Sequence, residues 1–194
     1  MKTNRLIEAF QYAAELHATQ RRKGTSIPYI SHLMAVAAMV IECGGDEDQA
    51  IGALLHDAVE DHPYDGRTKN QIRHRFGDRV LVLVEACSDA DIHPKPPWRQ
   101  RKERYLAHLP EASPDVRLIS LADKLHNARA ILADYRRVGE AVWHRFNATK
   151  GETLWYYRAL ADTFLRVQPG PLAAELERVV TQLELLASAG NETP

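Results

Sequence analysis

Ala50-Ile51-Gly52-Ala53-Leu54-Leu55-His56-Asp57-Ala58-Val59-Glu60-Asp61 is an apolar run that ends abruptly in four polar side chains. Residues 50–55 are too continuously hydrophobic for a surface helix, so they predict a helix over about 47–60 at the centre of the core. The far end predicts chemistry. His56 and Glu60 are four residues apart, as are Asp57 and Asp61, and a continuing helix turns all four toward adjacent sectors of one surface. Three carboxylates in that space repel one another unless a cation or a shared proton intervenes. Taken alone, the stretch also reads as a solvated helix end with an incidental His-Asp pair, because runs of charge are usually solvated.

Outward from this stretch the chain reads as amphipathic helices separated by short breaks, with no convincing alternating segment for a sheet. The predicted class is all-α: one compact helical bundle over residues 1–189, followed by a frayed tail at 190–194. A first helix over about 3–19 carries Leu6, Ala9, Phe10, Ala13 and Leu16 on one stripe and stops at the basic loop Arg21-Arg22-Lys23-Gly24. Ser31 suits the cap of a second helix, with Met34, Ala37, Ala38 and Ile41 as its apolar face and Gly44-Gly45 as its end. Asp46 or Asp48 begins the third. Thr68 and Gln71 fit a capping box for a short helix ending near Gly77, and the run Val80-Leu81-Val82-Leu83-Val84 reads as buried helix despite its β-branched content. Pro94, Pro96 and Pro97 mark a loop over 91–97; Ser113-Pro114 opens a helix over about 114–133; Gly151 precedes another reaching about 167. The last helix follows Gln168-Pro169-Gly170-Pro171, and its Leu172, Leu176, Val179, Val180, Leu183 and Leu186 suit packing on the same domain by default, or on a second subunit in a homo-oligomer.

Composition narrows the partners. The chain has 194 residues, 45% hydrophobic and 26% charged, which suits one folded domain. Its 25 Lys and Arg nearly balance 26 Asp and Glu, so its net field gives no reason to expect a long nucleic acid as partner, and an anionic ligand must be held locally. The amino terminus Met1-Lys2-Thr3-Asn4-Arg5 lacks the apolar core of a signal peptide, and no apolar run is long enough for a bilayer. The expected place is the cytoplasm, without a membrane partner, with Cys43 and Cys87 reduced.

Two further residues bear on the acidic stretch. His32 stands at the start of an apolar helix, and Asp123 interrupts Leu118-Ile119-Ser120-Leu121-Ala122. A carboxylate buried among such residues needs a base, a hydrogen-bond network or a metal. Each also has an ordinary explanation, His32 as a helix-cap histidine and Asp123 as a partner of Lys124 or Arg129. Together His32, His56, Asp57 and Asp123 offer two imidazoles and two carboxylates, a complete ligand set for a divalent transition metal, and the lack of thiolates argues against a structural zinc site.

His32, His56-Asp57 and Asp123, in that order on an α-helical chain, resemble the HD phosphohydrolase superfamily. More specifically, Arg22-Lys23 ahead of Pro28-Tyr29-Ile30-Ser31-His32, then His56-Asp57-Ala58-Val59-Glu60-Asp61, then Leu121-Ala122-Asp123-Lys124-Leu125-His126-Asn127, are similar to the hydrolase domain of RelA/SpoT homologues and above all to the stand-alone small alarmone hydrolases. The likeness covers about residues 6–164 and leaves no room for a synthetase domain. It implies Mn2+ as cofactor and a guanosine nucleotide such as ppGpp as substrate, from which water removes the 3′-pyrophosphate. It also implies catalytic roles for Glu60 and Asp61 near the attacking water, with the choice of base open, or else a supporting role behind the ligands. For the nucleotide it implies Arg22 on the base, Lys23 on phosphate, Asn127 on ribose or phosphate, Tyr156 closing over the nucleotide, and Lys102, Arg101 and Lys150 as further phosphate candidates. Solvated basic residues, an ordinary helix asparagine and a core tyrosine are the competing readings. Two other functions stay open: the same chemistry on pApp or NADPH, and a nucleotide sensor without turnover, against which the intact Glu60 and Asp61 argue.

Overall fold

The computed structural model describes residues 3–62, 66–88 and 96–189. Helices account for nearly all of them, and among the described residues there is no β-strand, only an isolated bridge between Arg21 and Pro28. None of these helices is long and apolar enough to cross a membrane. The expected tail at 190–194 and most of the proline loop lie outside the described residues.

Two compact units divide the chain: Met1–Lys95 with Ala112–Ala122, and Pro96–Glu111 with Asp123–Pro194. The first unit contains α1 (Thr3–Leu16), α2 (Ile30–Glu42), α3 (Glu47–Leu55), α4 (Ala58–Asp61), α5 (Arg67–Phe76) and α6 (Asp78–Cys87). As the sequence predicts, α3 is its centre. Residues 50–55 are all buried, and α3 packs against α1, α2 and α6. Burial of Ile51, Leu54 and Leu55 contributes about 1.5–3 kcal/mol each. Gly52 lets the helices approach closely, since a Cβ there would lie 3.2 Å from both Leu83 Cβ and Ile119 Cδ1. Asp46 starts α3 with a reciprocal capping box, accepting from Gln49 N while the Gln49 side chain accepts from Asp46 N.

Several local expectations need correction. The third helix does not continue to residue 60; α3 ends at Leu55 and the four-residue α4 begins at Ala58. His56 Nδ1 lies 2.8 Å from Ala53 O, the carbonyl that a continuing helix would offer to the Asp57 N–H. Asp57 sits at φ −96°, ψ −4°, in the bridge region. On α2 the buried face is His32, Leu33, Val36, Ala37, Met39 and Val40, while Met34 and Ile41 are exposed. That helix is apolar nearly all round, so its pattern does not select a face. Phe10 on α1 is exposed, and Tyr12 takes its place in the core. Ser31 does not cap α2; its hydroxyl donates to Pro28 O, and the helix already begins at Ile30. Thr68 is likewise inside α5, buried and donating to His62 O, with Gly66 at the cap in the left-handed region. Cys43, at the end of α2, is exposed.

The second unit contains α7 (Trp98–His108), α9 (Lys150–Val167), α10 (Pro171–Ala189) and the part of α8 (Pro114–Val138) from Asp123 onward, followed by a 3-10 segment, Gly139–Arg145. Helix α8 runs five residues past its expected end. Thr149 caps α9 through a capping box with Glu152. Helix α9 packs against α7 and α10, and Leu176, Val179, Val180 and Leu183 of α10 are buried within the unit, so that stripe is spent on its own domain. Lys150 donates to Glu140 and to Ala187 O near the end of α10, a structural tie rather than an open phosphate contact.

Candidate metal centre

The break between α3 and α4 places His56 and Asp57 in a turn, and the buried face of α2 brings His32 to the same turn. One ligand atom from each of His32, His56 and Asp57 lies within 4.8 Å of the other two. His56 Nε2 is 3.1 Å and His32 Nε2 is 3.8 Å from Asp57 Oδ2, and the two imidazole rings stand edge to face with centroids 5.2 Å apart. Both histidines are buried.

The donor set fits a divalent cation on elementary grounds. The partner of His56 Nδ1 is a carbonyl, which only accepts, so Nδ1 carries the hydrogen and neutral His56 presents the Nε2 lone pair toward a carboxylate. Two acceptors facing each other require a proton or a cation between them. The bond from the other ring nitrogen to a backbone carbonyl is also the usual way in which a ligating histidine is oriented. Tyr29 Oη donates to Asp57 Oδ2 at 2.5 Å and holds that carboxylate in place.

Around this centre, Gln20 Nε2 donates to Asp61 Oδ2 at 2.8 Å. Asp61 keeps an exposed side, yet protein crowds it on the other. That loss of hydration, reinforced by the Asp57 and Glu60 carboxylates, moves its carboxyl upward from its ordinary value against the pull of the Gln20 amide. Glu60 is half-buried on α4. The Arg22 guanidinium lies 5.8 Å from the centroid of the Tyr29 ring, and Lys23 is exposed beside it on the loop.

The second unit assembles a different group. Asp123 is buried; its Oδ2 is 2.6 Å from Lys124 Nζ, and its Oδ1 accepts from Asn127 Nδ2 at 2.5 Å. Burial disfavours the Lys124 charge, but Asp123, Tyr105 and Tyr156 outweigh it and raise its pKa. Lys102 Nζ lies 5.0 Å from the centroid of the buried Tyr156 ring, and Trp98 meets the same ring edge-on at 5.8 Å. Arg129, the other partner considered for Asp123, instead pairs with Glu175.

A family model described as "HD domain" matches residues 9–153, most of the chain and including every candidate ligand. The chain belongs to the HD-domain family. This HD domain is 40% identical over 127 residues to guanosine-3′,5′-bis(diphosphate) 3′-pyrophosphohydrolase MESH1 of Xenopus tropicalis, covering 64% of this chain and 68% of that protein. The human protein of the same name is 39% identical over the same shares. A guanosine-3′,5′-bis(diphosphate) 3′-pyrophosphohydrolase of Aquifex aeolicus is 36% identical over 123 residues, 63% of this chain but 17% of that longer protein. Among solved structures, one described as a metazoan ortholog of SpoT that hydrolyses ppGpp superposes with a TM-score of 0.76 at 28% identity, covering 93% of this chain and 96% of the other. The protein lmo0812 of Listeria monocytogenes EGD-e gives a TM-score of 0.69 at 26% identity, with 78% and 97% covered.

Sequence reasoning passed over three residues of this HD domain that touch the acids or stand behind them: Tyr29, Gln20 and His17. Tyr29 lies three residues before His32, a spacing that places both near one end of α2, but its phenol partner is set only by the tertiary fold. Gln20 and His17 carried no signal beyond being polar at the end of an apolar helix.

Proposed function

We propose that this HD domain is a metal-dependent 3′-pyrophosphohydrolase of ppGpp, releasing pyrophosphate and leaving GDP. The observation that carries the reading is the convergence of two buried histidines, His32 and His56, with Asp57 at one turn, in a chain whose relatives bear that activity in their names. A single catalytic domain over residues 1–189 is part of the proposal, since the family match draws on both compact units. Asp123 is the fourth ligand on the grounds of residue order, and Mn2+ is the metal that the resemblance implies. Bound there, such a cation supplies Lewis acidity toward a phosphoryl oxygen and toward water.

The chain's own groups do the rest. Tyr29 fixes the Asp57 carboxylate, and the backbone carbonyl of Ala53 fixes the His56 tautomer. Glu60 and Asp61, one turn beyond the ligands, orient the attacking water, and one of the two takes its proton. Arg22 and Lys23 meet the nucleotide, Asn127 meets its ribose or a phosphate, Tyr156 closes over it, and Lys102 meets a phosphate. The setting is the cytoplasm.

The test is a parallel assay of the purified protein with Mn2+ on ppGpp, pppGpp, pApp and NADPH. Pyrophosphate release from ppGpp is expected. Turnover of pApp or NADPH alone reassigns the substrate while keeping the chemistry, and metal-dependent nucleotide binding without any turnover makes the protein a sensor.

A further inference from the structure

The loop bearing Arg22 and Lys23 is a small hairpin. Arg22 N donates to Ile27 O at 2.8 Å, Thr25 N donates to Arg22 O at 2.9 Å, and Gly24 takes the left-handed conformation that this reversal needs. At its base Tyr29 N donates to Gln20 O at 3.0 Å, next to the Arg21–Pro28 bridge. The side chains of these two base residues both end on acids: Tyr29 on Asp57, and Gln20 on Asp61.

Gln20 is itself held from behind. His17, buried to 2% exposure, places Nδ1 2.5 Å from Gln20 Oε1. An amide oxygen only accepts, so His17 Nδ1 carries the hydrogen, which turns the Gln20 Nε2 donors outward to Asp61. The His17 ring is wedged between Tyr29, at 5.3 Å, and the edge of His62, at 4.9 Å, and so cannot swing away freely. A hydrogen bond to an exposed carboxylate adds little to stability. A buried imidazole that fixes the direction of such a bond is accounted for by what the carboxylate does.

We propose that Gln20, oriented by His17, is a positioning residue for Asp61: it occupies Oδ2, leaves Oδ1 as the oxygen that faces water and substrate, and ties that acid to the base of the nucleotide-contact hairpin. The inference rests on the role given to Asp61 above. Small errors in the placement of a reacting group are expensive, on the order of a hundredfold in rate for about 1 Å.

Gln20→Met keeps the length of the side chain and removes both ends of the amide. With Mn2+-loaded enzyme and ppGpp, it is expected to lower kcat about 10–100-fold with KM changed less than about twofold, a loss confined to the transition state. Metal content and melting temperature should match the parent. In an Asp61→Asn background the same change should have almost no further effect, because the group through which Gln20 acts has gone. A parent-like kcat in Gln20→Met, or an equal loss in both backgrounds, overturns the proposal. If the parent leaves ppGpp intact, the function proposed above fails instead. The arrangement is then judged by 15N NMR of His17, whose Nδ1–H tautomer should be fixed in the parent and mixed in Gln20→Met; a mixed tautomer in the parent also overturns it.

Discussion

Asp57 and Asp123 are both acids enclosed by helices, but they are kept in opposite ways. Asp123 has its positive charge built in, with Lys124 on one oxygen and the Asn127 amide on the other. Asp57 faces two imidazole nitrogens and a phenol, none of which carries a permanent charge. The contrast separates an acid that is stable by itself from one whose surroundings make sense with a cation added. It also shows that chemical type alone does not tell how an acid is kept: both are aspartates in apolar helical contexts.

The largest effect that would sharpen this contrast is on turnover. Asp57→Ala and Asp123→Ala should each lower kcat/KM by on the order of a thousandfold or more, about 4 kcal/mol of transition-state stabilisation. Metal analysis should show both depleted. Glu60→Gln should follow, lowering kcat roughly a hundredfold while metal content stays at the parent level; unchanged turnover removes Glu60 from the proton path. The two aspartates should then part company in the chelated protein. Asp123→Ala leaves Lys124 largely buried without its counter-ion and should cost about 2 kcal/mol in a denaturant titration, less than a fully buried pair because Lys124 keeps some solvent contact. Asp57→Ala should leave metal-free stability unchanged but abolish the stabilisation that Mn2+ gives the parent, about 2.7 kcal/mol at a hundredfold excess over Kd. Equal losses from both substitutions without metal would break the comparison. The smallest effect belongs to Tyr29→Phe, which loosens Asp57 and should weaken metal affinity about tenfold, measured by competition with a chelator.

How much of this was legible depended on whether the cause was local. Asp46 and Ser113-Pro114 mark helix starts through bonds spanning three residues, and a sequence displays such bonds directly, whereas α9 starts at Lys150 behind the Thr149 cap and takes in the Gly151 expected to precede it. The burial of residues 50–55 followed from composition alone. The face of α2 was not legible, because Leu33, Met34, Val36, Met39, Val40 and Ile41 leave no polar side to contrast. Helix α7 was not anticipated for the converse reason: Trp-Arg-Gln-Arg-Lys-Glu-Arg-Tyr has no apolar stripe, and none of its residues is buried. In the candidate site, histidines and acids announced themselves by cost, since burying them demands a partner. Tyr29 and Gln20 did not, because a neutral donor is at home in many places and only the fold chooses its acceptor. The stop between α3 and α4 was hidden in the same way, in a bond from a ring to a carbonyl.

Gly52 has no side chain, yet it governs how near α3 lies to Leu83 and Ile119. A methyl group there would act as a wedge of a few tenths of an ångström, four residues upstream of His56. Coordination bonds forgive about 0.2 Å. The dimensional tolerance of the ion's seat is therefore set partly by an empty space, and a survey of inactivating substitutions confined to charged positions would miss it.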